Sequence, residues 1–151
     1  MRFPLKMKAV STHAKTSLDE LLGSMEPELD SDEFVYCSIP SGTVGRLQIN
    51  ATCSFQEKEG ETLILRRSDA EKNNLAFAFP CRKITLRVHS SLEAVGFLAR
   101  VTSELAGQGI STNCVSAYYH DYLFVPVVDG ERALFLLREL QHRSKTPFTK
   151  G

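Results

Sequence analysis

The residues best suited to bind a ligand lie in a loop that follows a predicted strand and leads into a predicted helix. Ser90, Ser91 and Glu93 belong to this loop, and Gly96 stands where the helix begins. The first turn of a helix presents unpartnered backbone N–H groups and the positive end of the helix dipole, which together suit a carboxylate. Gly96 lets the backbone approach a ligand closely, the serines add hydroxyl groups, and Glu93 is able to pair with an amino group. The alternative is a local role, in which Ser91 caps the helix and Glu93 complements its dipole.

The sequence contains no set of residues with the pattern of a catalytic site. His120 and Asp121 are neighbours in a predicted tight turn, where adjacent side chains diverge and do not orient each other as a triad requires. No Ser, Cys or Lys has a recognisable nucleophile context, and no glycine-rich phosphate loop is present. These observations favour a protein that is not an enzyme and needs no cofactor.

Residues that could bind a metal are also poorly arranged for that purpose. Cys37, Cys53, Cys81 and Cys114 are widely spaced, without a C-x-x-C pair or a nearby histidine cluster, so buried thiols are expected rather than a zinc or redox site. The acidic run 26–33 lacks the glycine and the final glutamate of an EF-hand loop. It is predicted to be a solvated connection.

The charge balance argues against nucleic acid as a partner, and the short apolar runs argue against a membrane. The chain has 18 Lys and Arg against 18 Asp and Glu, whereas a general nucleic-acid binder needs a surplus of cations. No apolar run approaches the roughly 18 residues of a membrane-spanning helix, and the N-terminus lacks the apolar segment of a signal peptide. A cytoplasmic protein that binds neither nucleic acid nor membrane is expected.

The C-terminal half has the clearest pattern of secondary structure. Ile84–Val88 alternates apolar and polar residues, as a half-buried strand does. An amphipathic helix is predicted to run to about Ala106, followed by strands at 110–119 and 122–128. A last helix carries apolar residues inward as far as Leu140. The order strand, helix, strand, strand, helix is that of a βαββαβ module without its last strand.

The N-terminal half repeats this order with its first helix reduced to a loop. A short helix is predicted from Ser17, capped by that residue together with Glu20. The elements predicted after it are a strand at 34–39, a hairpin of 52–56 and 62–65, a short helix at 68–73 and a strand at 76–79. A continuous strand path from Phe77 to Val88 is expected to join the two halves.

The strand missing after Leu140 leaves two alternatives. Either Thr146-Pro147-Phe148 supplies a short edge, or another part of the chain fills the position. Residues from Gln141 onward are polar and are expected to fray. A homodimer or a pairing within the chain would cover exposed sheet edges.

The segments HSSLEAVGFLARVTSELAGQGIS and AYYHDYLFVPV, within residues 84–140, resemble an ACT domain. They are most similar to the tandem ACT proteins related to the regulatory domains of aspartate kinases. CSFQEKEGETLIL resembles the degenerate N-terminal module of such proteins, and the whole resemblance spans about residues 17–140. It implies an α+β fold of two tandem ferredoxin-like (βαββαβ) ACT modules, the first one degenerate.

In that family a ligand, usually an amino acid, lies at an interface between modules. The loop before the first helix and the start of the second strand hold it. Matched position by position, the resemblance implies that the ligand-binding residues are Ser90, Ser91, Leu92, Glu93, Val95, Gly96, Ser111, Thr112 and Asn113. Many ACT domains have Pro-Gly at the helix start, where this chain has Val95-Gly96 after a longer loop.

The expected organisation is a degenerate module at 17–80, an ACT module at 81–142, and flexible termini at 1–16 and 143–151. The expected function is non-catalytic: a homodimeric regulatory protein that senses a small amino acid or similar ligand between modules. The alternative is a protein-interaction module that docks a partner enzyme and binds no ligand.

Overall fold

The computed structural model of the protein describes residues 17–145. The predicted flexible arm 1–16 and the tail 146–151 lie outside this range. The helices and strands, in chain order, are α1 (Leu18–Ser24), β1 (Pro27–Ile39), β2 (Cys53–Gln56), β3 (Glu61–Arg66), α2 (Arg67–Lys72), β4 (Ala78–Leu86), α3 (Phe97–Gly107), β5 (Asn113–Ser116), β6 (Asp121–Pro126) and α4 (Gly130–Lys145). No helix in the described range is long and apolar enough to cross a membrane.

All six strands of the described chain form one sheet, in the order β2-β3-β1-β4-β6-β5, with every neighbouring pair antiparallel. The two long strands, β1 and β4, lie side by side at its centre. Each half of the sheet adds a hairpin to them, β2–β3 on one side and β5–β6 on the other. The predicted α+β architecture of two ferredoxin-like modules is therefore confirmed.

The long strands explain how the second module is completed. Residues 34–39 of β1 pair with β3, whereas Pro27–Leu29 pair with the end of β4 at Ile84–Leu86. The start of β1 thus occupies the position that a strand after α4 would otherwise fill. Of the two alternatives, another part of the chain supplies the missing strand, and the tail 146–148 is not needed there.

Apart from Glu26, the acidic run 26–33 is part of β1, so its prediction as a solvated connection was wrong. Its carboxylates form ion pairs with cations on neighbouring strands and beyond their ends. Glu28 pairs with Arg87 at 2.7 Å, and Asp30 pairs with Lys83 at 3.2 Å. These partners are more than 50 residues away along the chain. The local sequence shows the acidic charges but not their distant partners, so a local pattern does not predict a strand here.

One face of the sheet is covered on both halves. Helices α1, α3 and α4 pack on the second half around Leu21, Ile84, Val101, Leu123 and Leu137, all of which are fully buried. On the first half the helix expected between β1 and β2 is replaced by the loop 40–52, which contains only a 3₁₀ turn at Val44–Arg46. This loop and α2 cover a second apolar cluster. The first module is degenerate in the predicted sense.

The opposite face carries a third cluster with aromatic contacts. Phe34 meets Phe124 edge to face, with ring centroids 6.1 Å apart, and Cys81 is fully buried beside them. Burial raises the pKa of the Cys81 thiol to about 12. Burial, followed by the nearby thiols, raises the pKa of Tyr36 at the cluster's edge to about 12. Both groups are therefore neutral at physiological pH.

The two ends of the described chain differ from the sequence prediction. Helix α4 continues to Lys145, past Gln141, where fraying was expected. The side chain of Gln141 donates to the carbonyl of Gly23 at 3.2 Å, and Arg143 pairs with Glu104 at 2.7 Å, which together hold the last turns. Ser17 lies at the N-cap of α1, but its side chain makes no capping hydrogen bond, so the predicted capping box does not form.

Replacing Gly60 by Ala tests the tight contact between the β2–β3 hairpin and β1. A Cβ at this position would lie 2.6 Å from the carbonyl oxygen of Ile39. We expect Gly60→Ala to lower the free energy of unfolding by about 1–3 kcal/mol, because backbone on both sides must shift. The matched control, Gly107→Ala, adds a Cβ in open space within α3 and should raise it by about 0.5–1 kcal/mol. Urea unfolding measures the free energy of unfolding of both variants, and equal effects would show that the contact between Gly60 and Ile39 is not tight.

The neutral Tyr36 and Cys81 predict how stability depends on pH. Because their pKa values are raised in the folded state, the unfolded chain loses these protons first as the pH rises. The free energy of unfolding should therefore be constant near neutrality and fall from about pH 9 towards about pH 12. Tyr36→Phe should reduce the fall, whereas Tyr118→Phe at an exposed hairpin tip should not. Urea unfolding at a series of pH values tests this, and an unchanged slope in Tyr36→Phe would contradict it.

Candidate functional site

The loop between β4 and α3 ends at a glycine with left-handed backbone. Gly96 has a φ of +87°, a conformation that other residues adopt with strain, and it occupies the N-cap of α3. No side chain caps this helix end. The first-turn N–H groups of an uncapped helix lack intrahelical acceptors and carry the positive end of the dipole. The chemistry of this end of α3 therefore suits an anion.

A buried carboxylate lies beside the same loop. Asp121, the first residue of β6, is 5% exposed and accepts hydrogen bonds from the hydroxyls of Ser90 at 2.8 Å and Ser116 at 2.7 Å. It forms no ion pair with any residue of the described chain. His120 contacts the carbonyl of Val88 instead, at 3.3 Å. A buried carboxylate whose partners are all hydroxyls is stabilised by a nearby positive charge, so its surroundings suit a cation.

The helix end and the carboxylate share one cavity of about 160 Å³. Its lining residues are Ser90, Ser91, Leu92, Ala94, Gly96, Phe97, Leu98, Ala99, Ser116 and Asp121. For scale, a cavity of ~150 Å³ admits a benzene molecule. The cavity therefore has the size of a small organic molecule, with backbone N–H groups of α3 on one side and the carboxylate of Asp121 on the other.

Four of the nine predicted ligand-binding residues line this cavity: Ser90, Ser91, Leu92 and Gly96. Glu93 and Val95 belong to the same loop but are exposed and do not contribute to the lining. Ser111 and Thr112 precede β5 and are absent from the lining too. Asn113, the first residue of β5, lines a different cavity on the sheet face that carries no helix.

Neither Ser91 nor Glu93 has the local role that the alternative prediction gave it, as a helix cap and as a partner of the helix dipole. The hydroxyl oxygen of Ser91 accepts a hydrogen bond from the backbone N–H of Glu93 at 3.1 Å. Ser91 therefore stabilises a turn within the loop and does not cap α3, whose N-cap is Gly96. Glu93 lies before the helix, and the first turn of α3 contains no acidic residue.

Sequence reasoning missed the most polar part of the cavity. The sequence pattern places Asp121 with His120 in a tight turn and draws no attention to Ser116, whereas in the structure Asp121 is the first residue of β6. The available signal was an acidic residue opening an otherwise apolar run, Asp121-Tyr-Leu-Phe-Val. A charge that starts a buried strand needs a partner inside the fold, and here the partners come from two separate segments.

Exposed apolar side chains surround the loop. Leu92 and Val95 are both largely exposed, Val95 at 85%. The β5–β6 hairpin tip adds Tyr118 and Tyr119, and the ring of Tyr119 lies 5.2 Å from that of His89 at the start of the loop. Exposed apolar residues on neighbouring loops are typical of a surface that contacts another protein.

The described residues contain no group of three or more His, Cys, Asp or Glu side chains arranged to hold a metal ion.

The four cysteines differ in burial: Cys37 and Cys81 are buried, Cys53 is half-buried and Cys114 is exposed. All four are free thiols. The cavity at α3 is therefore the described site with the most evident chemistry for a small ligand.

Comparison with known proteins identifies both halves of the chain. Family models described as ACT domain match residues 13–82 and residues 79–139. A Vibrio cholerae protein of unknown function, named as a possible transport protein, is 38% identical with a TM-score of 0.75, over 83% of this chain and 97% of its own. No curated protein matches the chain.

Two aspartate kinase structures share the fold at low sequence identity. The regulatory subunit from Thermus flavus is 11% identical with a TM-score of 0.58, over 76% of this chain and 95% of its own. The aspartokinase alpha and beta subunits are 13% identical with a TM-score of 0.60, over 77% of this chain and 97% of theirs. The two family matches together span most of the chain and show that it belongs to the ACT-domain family, as a tandem ACT protein that resembles the regulatory domains of aspartate kinases.

Proposed function

We propose that this protein is a non-catalytic regulator that binds a small amino acid in the cavity at the start of α3. ACT domains are in general regulatory modules that bind small molecules, most often amino acids. The observation that carries the proposal is Asp121, a buried carboxylate that has no cationic partner within residues 17–145, next to an uncapped helix end. An amino acid carries both a negative charge for the helix end and a positive charge for Asp121. Its carboxylate would meet the N–H groups of α3, and its ammonium would meet Asp121.

The lining of the cavity indicates which amino acids fit. Ala94, Phe97 and Leu98 contribute apolar surface, and apart from Asp121 no lining residue carries a charge. A volume of about 160 Å³ leaves room for a short side chain. We therefore propose a ligand with a small apolar side chain, and we expect charged amino acids to bind weakly because their second charge would lack a partner.

The apolar rim of the cavity supports a homodimer as the working unit. Leu92 and Val95 lie on the loop that forms the cavity, so a partner surface packed on them would also close its mouth. A ligand held there would favour one arrangement of the two copies over another, in proportion to its difference in affinity for the two. The exposed tyrosines of the hairpin tip fit the alternative, in which this face docks a partner enzyme in the cytoplasm.

A thermal-shift screen of the standard amino acids at millimolar concentration tests the ligand. Small apolar amino acids should raise the melting temperature, because a ligand that binds only the folded state stabilises it. Asp121→Asn removes the charge that meets the ammonium and should weaken binding by about tenfold or more. Asp19→Asn, on the exposed first turn of α1, is the matched control and should bind as the unchanged protein does. No response to any amino acid, or full binding by Asp121→Asn, would refute the proposal.

Sedimentation velocity tests the dimer separately. Val95→Asp places a charge on the rim and should shift the protein towards the monomer, since the charge must be desolvated in the interface. Val128→Asp is the control, because Val128 is 90% exposed and lies outside the cavity lining. If both variants sediment like the unchanged protein, the rim is not the dimer contact, and the thermal-shift result still decides the ligand.

A further inference from the structure

The sheet face without helices contains a second and larger cavity. The sheet curls so strongly that its two edge strands, β2 and β5, contribute to the same opening, although four strands separate them in the sheet order. One part, about 350 Å³, is lined by Tyr36, Cys53, Phe55, Thr62, Ile64, Asn113, Cys114 and Val115. The adjoining part, about 310 Å³, is lined by Thr52, Cys53, Lys83, Val115, Ala117, Tyr122 and Phe124. The two parts share Cys53 and Val115.

The strand registers show that the two parts occupy equivalent places in the two modules. Tyr36 of β1 pairs with Ile64 of β3, and Lys83 of β4 pairs with Phe124 of β6. The hairpins β2–β3 and β5–β6 correspond at a constant offset of 60 residues, as the pairs Cys53–Ile64 and Asn113–Phe124 show. The cavity therefore lies on the approximate two-fold axis between the modules. At equivalent positions one half carries a phenol and the other an ammonium.

Charge distinguishes the two halves. Lys83 is the one charged residue among the lining side chains of either part. Its side chain is 18% exposed, with the ammonium 4.9 Å from the centroid of Phe34 and 3.2 Å from the carboxylate of Asp30. An ammonium has three N–H donors, so the ion pair with Asp30 leaves donors for another acceptor. Tyr36 is neutral at the other end, because burial raises its pKa to about 12.

The size and lining match those of small-molecule sites in general. Such sites have volumes of about 300–1,000 Å³ and mostly apolar and aromatic walls, with few polar groups that orient the ligand. Here the walls are Phe55, Ile64, Val115 and Phe124, and the orienting groups are at opposite ends. The aromatic walls also suit a ring, which packs edge to face or offset against them.

We propose that this cavity binds an aromatic or branched apolar monocarboxylate, with the carboxylate at Lys83 and the apolar body against Ile64 and Val115. This site is separate from the cavity at α3, because its lining comes from the opposite face of the sheet and shares no residue with it. It does not depend on the amino-acid ligand proposed above. The two ligands would bind to one chain at the same time.

Calorimetric titration with 3-phenylpropionate and with the uncharged 3-phenylpropan-1-ol tests the proposal. The acid should bind, and the alcohol should bind about tenfold more weakly, because only the carboxylate of the acid adds the attraction of an opposite charge to its hydrogen bond with the Lys83 ammonium. Lys83→Met keeps the length and apolar stem of the side chain and should reduce the acid to the affinity of the alcohol. Lys58→Met, in the exposed turn of the β2–β3 hairpin, should leave both affinities unchanged.

Two more variants keep the test decisive if Lys83→Met folds poorly. Phe55→Ala removes a wall residue that is 69% exposed, so the fold should persist while both ligands bind more weakly. Val115→Trp fills the part common to both halves and should abolish binding of both. In each variant the melting-temperature response to amino acids should stay as in the unchanged protein, which separates this site from the cavity at α3.

Three results would overturn the proposal. Equal affinity for the acid and the alcohol would show that Lys83 does not orient the ligand. Full binding by folded Val115→Trp would place the ligand elsewhere. The third result has two parts: the unchanged protein is a dimer that binds neither probe, and Phe55→Asp converts it to monomers. It would show that a second copy covers this face.

Discussion

The pairing of β1 with β4 is the constraint on which the rest of the structure depends. These strands lie at the centre of the sheet, and each belongs to both modules. Their registers with β3 and β6 then determine where each hairpin lies. Residues that are far apart along the chain, such as Ser90 and Asp121, meet because β4 and β6 are neighbours. Both cavities are consequences of this arrangement, one on each face of the sheet.

The two faces suit different chemistry because only one of them carries helices. On the covered face, α3 begins next to the end of β4, which brings a helix terminus to the buried carboxylate of Asp121. On the open face there is no helix terminus, and the polar groups are side chains of the strands themselves. Lys83 is stabilised there by Asp30 and by the faces of two aromatic rings. The covered face thus offers backbone donors, and the open face a single ammonium.

The periodic segments of the second half could be predicted from the sequence, because their burial follows a local pattern. This pattern predicts helix α3 and the β5–β6 hairpin, and four residues of the loop before α3 line the cavity there. The start of β1 was missed because its charges are neutralised by partners on distant strands. The burial of Asp121 was missed because one of its two hydroxyl partners, Ser90, lies 31 residues away along the chain. Local patterns report burial well and report long-range pairing poorly.

The exchange of strands between the modules also bears on how the protein folds. The predicted module boundary, between residues 80 and 81, falls inside β4, which runs from Ala78 to Leu86. A fragment that ends there would lack most of the strand beside β1, and its counterpart would lack the strand beside β4. Neither fragment would satisfy its backbone hydrogen bonds alone, since each would expose an unpaired central strand. We therefore expect the two modules to fold as one cooperative unit, and an isolated half to expose a strand edge prone to aggregation.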